Sequence, residues 1–142
     1  MNILISACLL GVSCRYDGKS KSNDKIEALM KKYTLIPVCP EVMGGLPTPR
    51  SPVETQNGRA INKDGVDVTA EFEKGAEEVL RLAILYNCEY AILKEKSPSC
   101  GSQKIYDGTF TGTLIEGNGI TTELLLKHDI KVIGESQIDT LL

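Results

Sequence analysis

The sequence predicts an α/β fold: a single domain over residues 1–142, with a mostly parallel, open, Rossmann-like sheet, helices on its faces, and an irregular Pro/Gly-rich insertion after the second strand. Three observations predict it. Short apolar runs of strand length alternate with helical patterns at least three times, the order that builds parallel sheets. The length of 142 residues suits one domain with a real core. No repeat, low-complexity segment or interdomain linker interrupts the chain.

Taken in order, Ile3-Leu4-Ile5-Ser6 is the first strand-length apolar run, and it leads to Cys8. Gly11, Asp17-Gly18 and a Lys/Ser cluster are loop signals, and Asp17 with Gly18 reads as a turn. Asn23 is placed to cap a helix to about Lys32, with Ile26, Leu29 and Met30 as its stripe. Thr34 to Val38 reads as the second strand, with Pro37 removing one ladder donor, and it ends at Cys39. From Pro40 to about Val68 no clear helix is expected. Pro47 and Pro49 stiffen the first part, and Val53–Gln56 and Arg59–Asn62 form a hairpin around Asn57-Gly58. So long an excursion reads as an ordered lid or wall.

Thr69 opens the strongest helix, with Phe72, Ala76, Val79, Leu80 and Ala83 at helical spacing, and Asn87 ends it. Tyr90–Leu93 is the third strand, followed by the loop Ser97-Pro98-Ser99-Cys100-Gly101. Residues 108–119 are turn-rich, Thr121 caps a helix carrying Leu124 and Leu125, and Lys131–Ile133 is a fourth strand. Ser136 with Asp139 forms a capping box for a last short helix.

Hydrophobic residues at 42% and charged residues at 25% are globular values. A net charge of −3, scattered Lys and Arg, and no Trp argue against a nucleic-acid or anionic-membrane surface. No apolar stretch approaches the roughly 18 residues of a membrane span. The stretch Ile5-Ser6-Ala7-Cys8 looks like a lipoprotein cleavage site, but only seven residues precede the cysteine and none is basic. A cytoplasmic protein is expected. There, an odd count of five cysteines points to metal binding or reactive thiols rather than a disulfide framework.

Cys8 and Cys39 follow strands one and two directly, and Cys100 lies shortly after strand three. In a parallel sheet all three fall at the carboxyl edge, where open α/β folds bind ligands. Zinc usually takes close cysteine pairs, and no C-x₂-C is present; iron–sulfur clusters tolerate more widely separated ligands. Spacing alone leaves both metals open, a structural zinc-thiolate module without catalytic activity being the alternative to a cluster enzyme. A thiol redox enzyme lacks its C-x-x-C.

At these residues the chain resembles the thiouracil desulfurase family. "SACLLG" at 6–11, "RYDG" at 15–18, "PVCPE" at 37–41, "GLPTPR" at 45–50, "DVT" at 67–69 and "SPSCG" at 97–101 carry the resemblance in order along the whole chain. It implies that Cys8, Cys39 and Cys100 bind a [4Fe–4S] cluster whose fourth iron takes the substrate sulfur. The implied reaction is non-redox conversion of a thiolated pyrimidine, such as 2-thiouracil, to uracil and sulfide. It further implies Glu41 as general acid or base and Ser97 as a polar partner to substrate or water.

Arg15 and Arg50 are candidates to bind the substrate carbonyl or to orient Glu41, and Ser99 is a candidate for substrate binding or a turn cap. Cys14 is expected as a nearby thiol whose ligation would remove the open iron. Cys88, before strand three, is expected as a core or surface thiol. His128, at a helix end, receives no role.

Overall fold

A computed structural model describes residues 1–142. Strand β1 (Asn2–Ser6) pairs in parallel with β2 (Thr34–Val38) on one side and with β5 (Tyr90–Leu93) on the other. Strand β8 (Lys131–Gly134) pairs in parallel with β5, so the order is β2-β1-β5-β8. The expected parallel sheet is present. Pro37 is tolerated because β2 is an edge strand, where a missing N–H need not break a ladder.

Alternation along the strands splits the core in two. Leu4, Ala91 and Leu93 face helices α3 (Thr69–Leu85) and α4 (Ile120–Lys127), packing with Val79, Ala83 and Leu125. Ile3, Ile5 and Ile92 face the opposite way, against Leu9, Leu29 and Ile138. Leu29 belongs to α1 (Ile26–Met30), and Leu9 and Ile138 to the 3-10 turns Ala7–Leu10 and Glu135–Leu141. A third, smaller cluster of Val53, Ala60, Val68 and Phe72 seats the hairpin of β3 (Val53–Gln56) and β4 (Arg59–Asn62) on α3.

Several local expectations change. Asn23 does not cap α1; its Oδ1 accepts the N–H of Lys25 in a turn, and the helix is only five residues long. A short helix α2 (Pro40–Met43) lies where no helix is expected, with Pro40 at its first position, where a missing N–H costs nothing. The turn-rich stretch is part of a small antiparallel hairpin, β6 (Lys104–Tyr106) with β7 (Leu114–Glu116). Gly119, not Thr121, precedes α4, and the Thr121 hydroxyl is buried without a partner. Ser136 donates to Glu95 instead of closing a capping box, while Gln137 Oε1 accepts from the Gly134 N–H. No helix is long and apolar enough to cross a membrane.

Candidate metal and catalytic centre

The carboxyl ends of β1, β2 and β5 open into a cavity of about 610 Å³. Cys8 enters on the 3-10 turn after β1, Cys39 directly after β2, and Cys100 from the loop after β5; all three line it. Cys14 lines it too, because the chain reverses at Gly11, whose φ is +96°. The Cys39 thiol points at the Cys14 carbonyl, 3.7 Å away. Cys88 is buried among Val79, Ala83 and Leu125 on the α3–α4 side of the sheet. All five thiols are free.

The thiols are held in an environment hostile to bare thiolates. Cys39 is pushed far above the ordinary cysteine range, first by its hydrogen bond with the Cys14 thiol and then by burial. For Cys14 that same bond pulls downward, but a hydrogen bond with Cys8 together with burial outweighs it, and the thiol ends up raised. Cys100 is pushed up to about 12 by burial, against hydrogen bonds with Ser6 and Ser99 that favour its thiolate. Several buried sulfur anions at one spot need a cationic partner, and a thiophilic metal centre supplies that charge.

The donor set fits an iron–sulfur cluster better than one ion. No three of the chain's His, Cys, Asp and Glu side chains converge closely enough to hold a single metal ion. A cluster, bound at separate corners, accepts thiolates that stay apart, and a set made of sulfur alone suits it.

Beside the thiols stands a fixed carboxylate. Glu41 is in the first turn of α2, two residues after Cys39. Helix α2 is seated against α3 by two glycines: a Cβ on Gly44 would lie 2.0 Å from the Glu71 carbonyl oxygen, and one on Gly75 1.9 Å from that of Pro40. Only glycines allow this approach, which sets the height of Glu41 over the sheet. Arg50 then pins the carboxylate, donating from Nε to Oε1 at 3.1 Å, with the side chains only 6% and 13% exposed. Its other donors go to the Cys14 carbonyl at 2.9 Å, Thr48 Oγ1 at 3.0 Å and the Pro47 carbonyl at 3.2 Å. Arg50 is thus committed to the protein. Arg15 lines the cavity with a looser partner, Asp17 at 3.8 Å.

The other carboxylate oxygen of Glu41 accepts from Ser99 Oγ at 2.9 Å, and Ser99 Oγ lies 3.0 Å from Ser97 Oγ. Ser97 Oγ also accepts the backbone N–H groups of Ser99 and Cys100 at 3.2 and 3.1 Å. Because the Ser99 proton goes to Glu41, the Ser97 hydroxyl donates to Ser99 Oγ, and the hydrogen bonds run from Ser97 through Ser99 to Glu41. Ser99, at 1% exposure, faces Glu41 and Ser97 from within the wall. His128 bonds the Leu124 carbonyl of its own helix, outside the cavity lining.

Ser6 and Tyr106 are among the lining residues that sequence reasoning does not find. Ser6, at 3% exposure, bonds Cys100 and accepts the Lys94 N–H at 2.8 Å; its signals in the sequence are its place at the end of the first strand and at the start of "SACLLG". Tyr106 lines the cavity from the unexpected β6.

The geometry agrees with the comparisons with known proteins. The family model described as 2-thiouracil desulfurase matches residues 3–137. The "Uncharacterized protein YbbK" of Bacillus subtilis (strain 168) is 39% identical over 150 residues, covering 99% of each chain. A solved structure of the [4Fe-4S]-dependent thiouracil desulfidase TudS is 48% identical, covers 99% of this chain and 94% of its own, and superposes with a TM-score of 0.93. The chain belongs to the 2-thiouracil desulfurase family.

Proposed function

We propose that this chain is a cluster-dependent desulfurase that converts a thiolated pyrimidine such as 2-thiouracil, with water, to uracil and sulfide. Cys8, Cys39 and Cys100 are its three thiolate ligands, and the cofactor is a [4Fe–4S] cluster, the group on which the similar TudS is described as depending. The single observation that carries the reading is the sharing of one cavity by these thiols with Glu41 and Ser97. When bound, such a cluster with one iron free of protein ligands supplies a Lewis acid for the soft thiocarbonyl sulfur.

The chain's own groups supply the rest. Exchange of C=S for C=O adds one water and releases the sulfur with two protons, so protons must be taken from water and delivered to sulfide. Glu41, held at one oxygen by Arg50, takes the proton from the attacking water. Ser97, its oxygen loaded with two backbone N–H bonds, turns its hydroxyl proton from Ser99 Oγ to the substrate or to water. Ser99 links the two groups and supports the carboxylate rather than touching substrate. Arg15, on the cavity wall with Asp17 no nearer than 3.8 Å, is the cation for the carbonyl oxygen of the ring.

A net charge of −3 supports a small-molecule substrate over a nucleic acid, and five free thiols support a reducing, cytosolic setting. The test is anaerobic purification, followed by iron and acid-labile sulfide analysis and a sulfide-release assay with 2-thiouracil. About four irons and four sulfides per chain, with uracil and sulfide formed in equal amounts, is the expected result. Stoichiometric zinc without labile sulfide would refute it.

A further inference from the structure

The cavity's more exposed wall is aromatic. The chain has only seven aromatic side chains, five Tyr and two Phe. Three of them, Tyr16, Tyr106 and Phe110, line this one cavity. Phe110 is set apart by its backbone, with φ at +57°. A bulky L-residue rarely adopts that region, and it persists there only where surrounding contacts enforce it.

Those contacts come from β3. Glu54 Oε1 accepts the backbone N–H of Gly108 at 3.0 Å and that of Phe110 at 3.1 Å. Gln56 Nε2 donates to the Gly108 carbonyl at 2.7 Å. Gly108, with φ at +96°, presses so closely on β3 that a Cβ there would lie 2.2 Å from Gln56 Cγ and 2.9 Å from the Thr55 carbonyl oxygen. Asp107 Oδ1 stiffens the loop from within, accepting from the Thr109 N–H at 2.9 Å and from its hydroxyl at 2.6 Å. The β6–β7 tip is therefore clamped onto a hairpin some fifty residues earlier in the chain, and the result is a half-buried phenyl ring at the cavity wall.

We propose that Phe110 is the stacking face for the pyrimidine ring of the substrate, and that Glu54 is the positioning residue that holds it there. The inference rests on the desulfurase reading of the same cavity and extends it to ring recognition. A pyrimidine whose sulfur is directed to the thiols leaves its flat faces to be covered. An aromatic side chain covers them with little regard to ring substituents. Glu54 acts through the loop, its Oε1 taken by two amides.

The test is the dissociation constant of anaerobically prepared holoenzyme for uracil, measured by titration calorimetry beside kcat and KM for 2-thiouracil. Uracil carries no sulfur, so its affinity reports ring binding apart from sulfur capture. Phe110→Gly deletes the ring and suits the positive φ, so the loop keeps its course. The uracil Kd and the KM should each rise about tenfold, with kcat changed by less than about twofold. Phe110→Trp should hold uracil far better than Phe110→Leu, which offers apolar area without a π-face. Glu54→Ala should weaken uracil binding and speed hydrogen exchange at the Gly108 and Phe110 amides, and Glu54→Gln, which keeps an oxygen acceptor, should recover most of both. Unchanged uracil affinity in Phe110→Gly, or equal affinity in the Trp and Leu variants, overturns the proposal. A wild-type holoenzyme that binds uracil yet releases no sulfide from 2-thiouracil refutes the desulfurase reading instead.

Discussion

At the buried end of the cavity the side chains come from loops that leave three neighbouring strands of one parallel sheet. At the exposed end they come largely from two small antiparallel hairpins outside that sheet. The buried end carries soft sulfur donors and a pinned carboxylate; the exposed end carries aromatic rings. Parallel topology brings Cys8, Cys39 and Cys100 to one edge whatever the loops between them do, because each follows a strand running the same way. The aromatic wall has no such guarantee and is assembled by side chain–backbone clamps, Glu54 and Gln56 above all. On the proposed reading, cofactor and chemistry thus depend on the regular part of the fold, and ring recognition on its additions.

The largest effects should come from the sheet edge. Cys8→Ser, Cys39→Ser and Cys100→Ser should each lose the cluster, seen as loss of bound iron and of visible absorption, and with it all sulfide release. Cys88→Ser, in the core under α3 and outside the cavity lining, should keep both. Equal iron loss in the Cys88 variant would break the division between site thiols and core thiol.

Next in size is the carboxylate. Glu41→Gln keeps the shape and one acceptor for Ser99 but cannot take a proton. It should retain iron while kcat falls about 10²–10⁴-fold. The KM should move little, in contrast to Phe110→Gly, where KM moves and kcat does not. A Glu41→Gln enzyme that turns over normally would place the base elsewhere.

Cys14→Ala should do much less. Cys14 lies among the site thiols, hydrogen-bonded to both Cys8 and Cys39, yet in the proposed mechanism three other ligands leave the one open iron the reaction needs. The variant should keep about four irons per chain and most of its turnover. Loss of the cluster would make Cys14 a fourth ligand and remove the open corner.

The same division explains what could be read from the sequence. Strands buried on both faces leave dense apolar runs, so Ile3–Ile5 and Tyr90–Leu93 were legible, and with them the shared edge of the three cysteines. Helix α2 is four residues long, too short for any periodicity to show, and only Pro40 at its first position marked it. Strand β7 is exposed throughout, so no in–out alternation exists to be read. Asn23 and Thr121 have cap-forming side chains, but an Asx turn and a glycine took the places expected for them. The hydrogen bond between Ser99 and Glu41 joins residues 58 apart in the chain. Contacts at that separation leave no local pattern.

The smallest effect lies where the exposed wall joins the sheet domain. Asp67 Oδ1 accepts the Thr69 N–H at the start of α3, and its Oδ2 accepts from Arg59 of β4 at 2.8 and 3.1 Å. Thr69 Oγ1 in turn accepts the Ala60 N–H, so this junction ties the hairpin that carries Glu54 to the helix beneath it. Hydrogen bonds from Thr69, then from Arg59, hold the Asp67 carboxyl down at about 2, against an ordinary 3.8. A carboxyl with a depressed folded-state pKa stabilises the fold above its unfolded value and loses that contribution as pH falls toward the folded one. Asp67→Asn keeps the shape and an acceptor for Thr69 while removing the charge. At pH 7 it should lower Tm by only about 1–2 °C, because the pair is exposed to solvent. The gap between wild type and variant should narrow below pH 4 and close near pH 2. A gap that persisted unchanged at pH 2 would show that shape, not charge, holds the hairpin to α3. Uracil affinity should fall slightly in the same variant, since any loosening of β3 and β4 passes through Glu54 to the Phe110 loop.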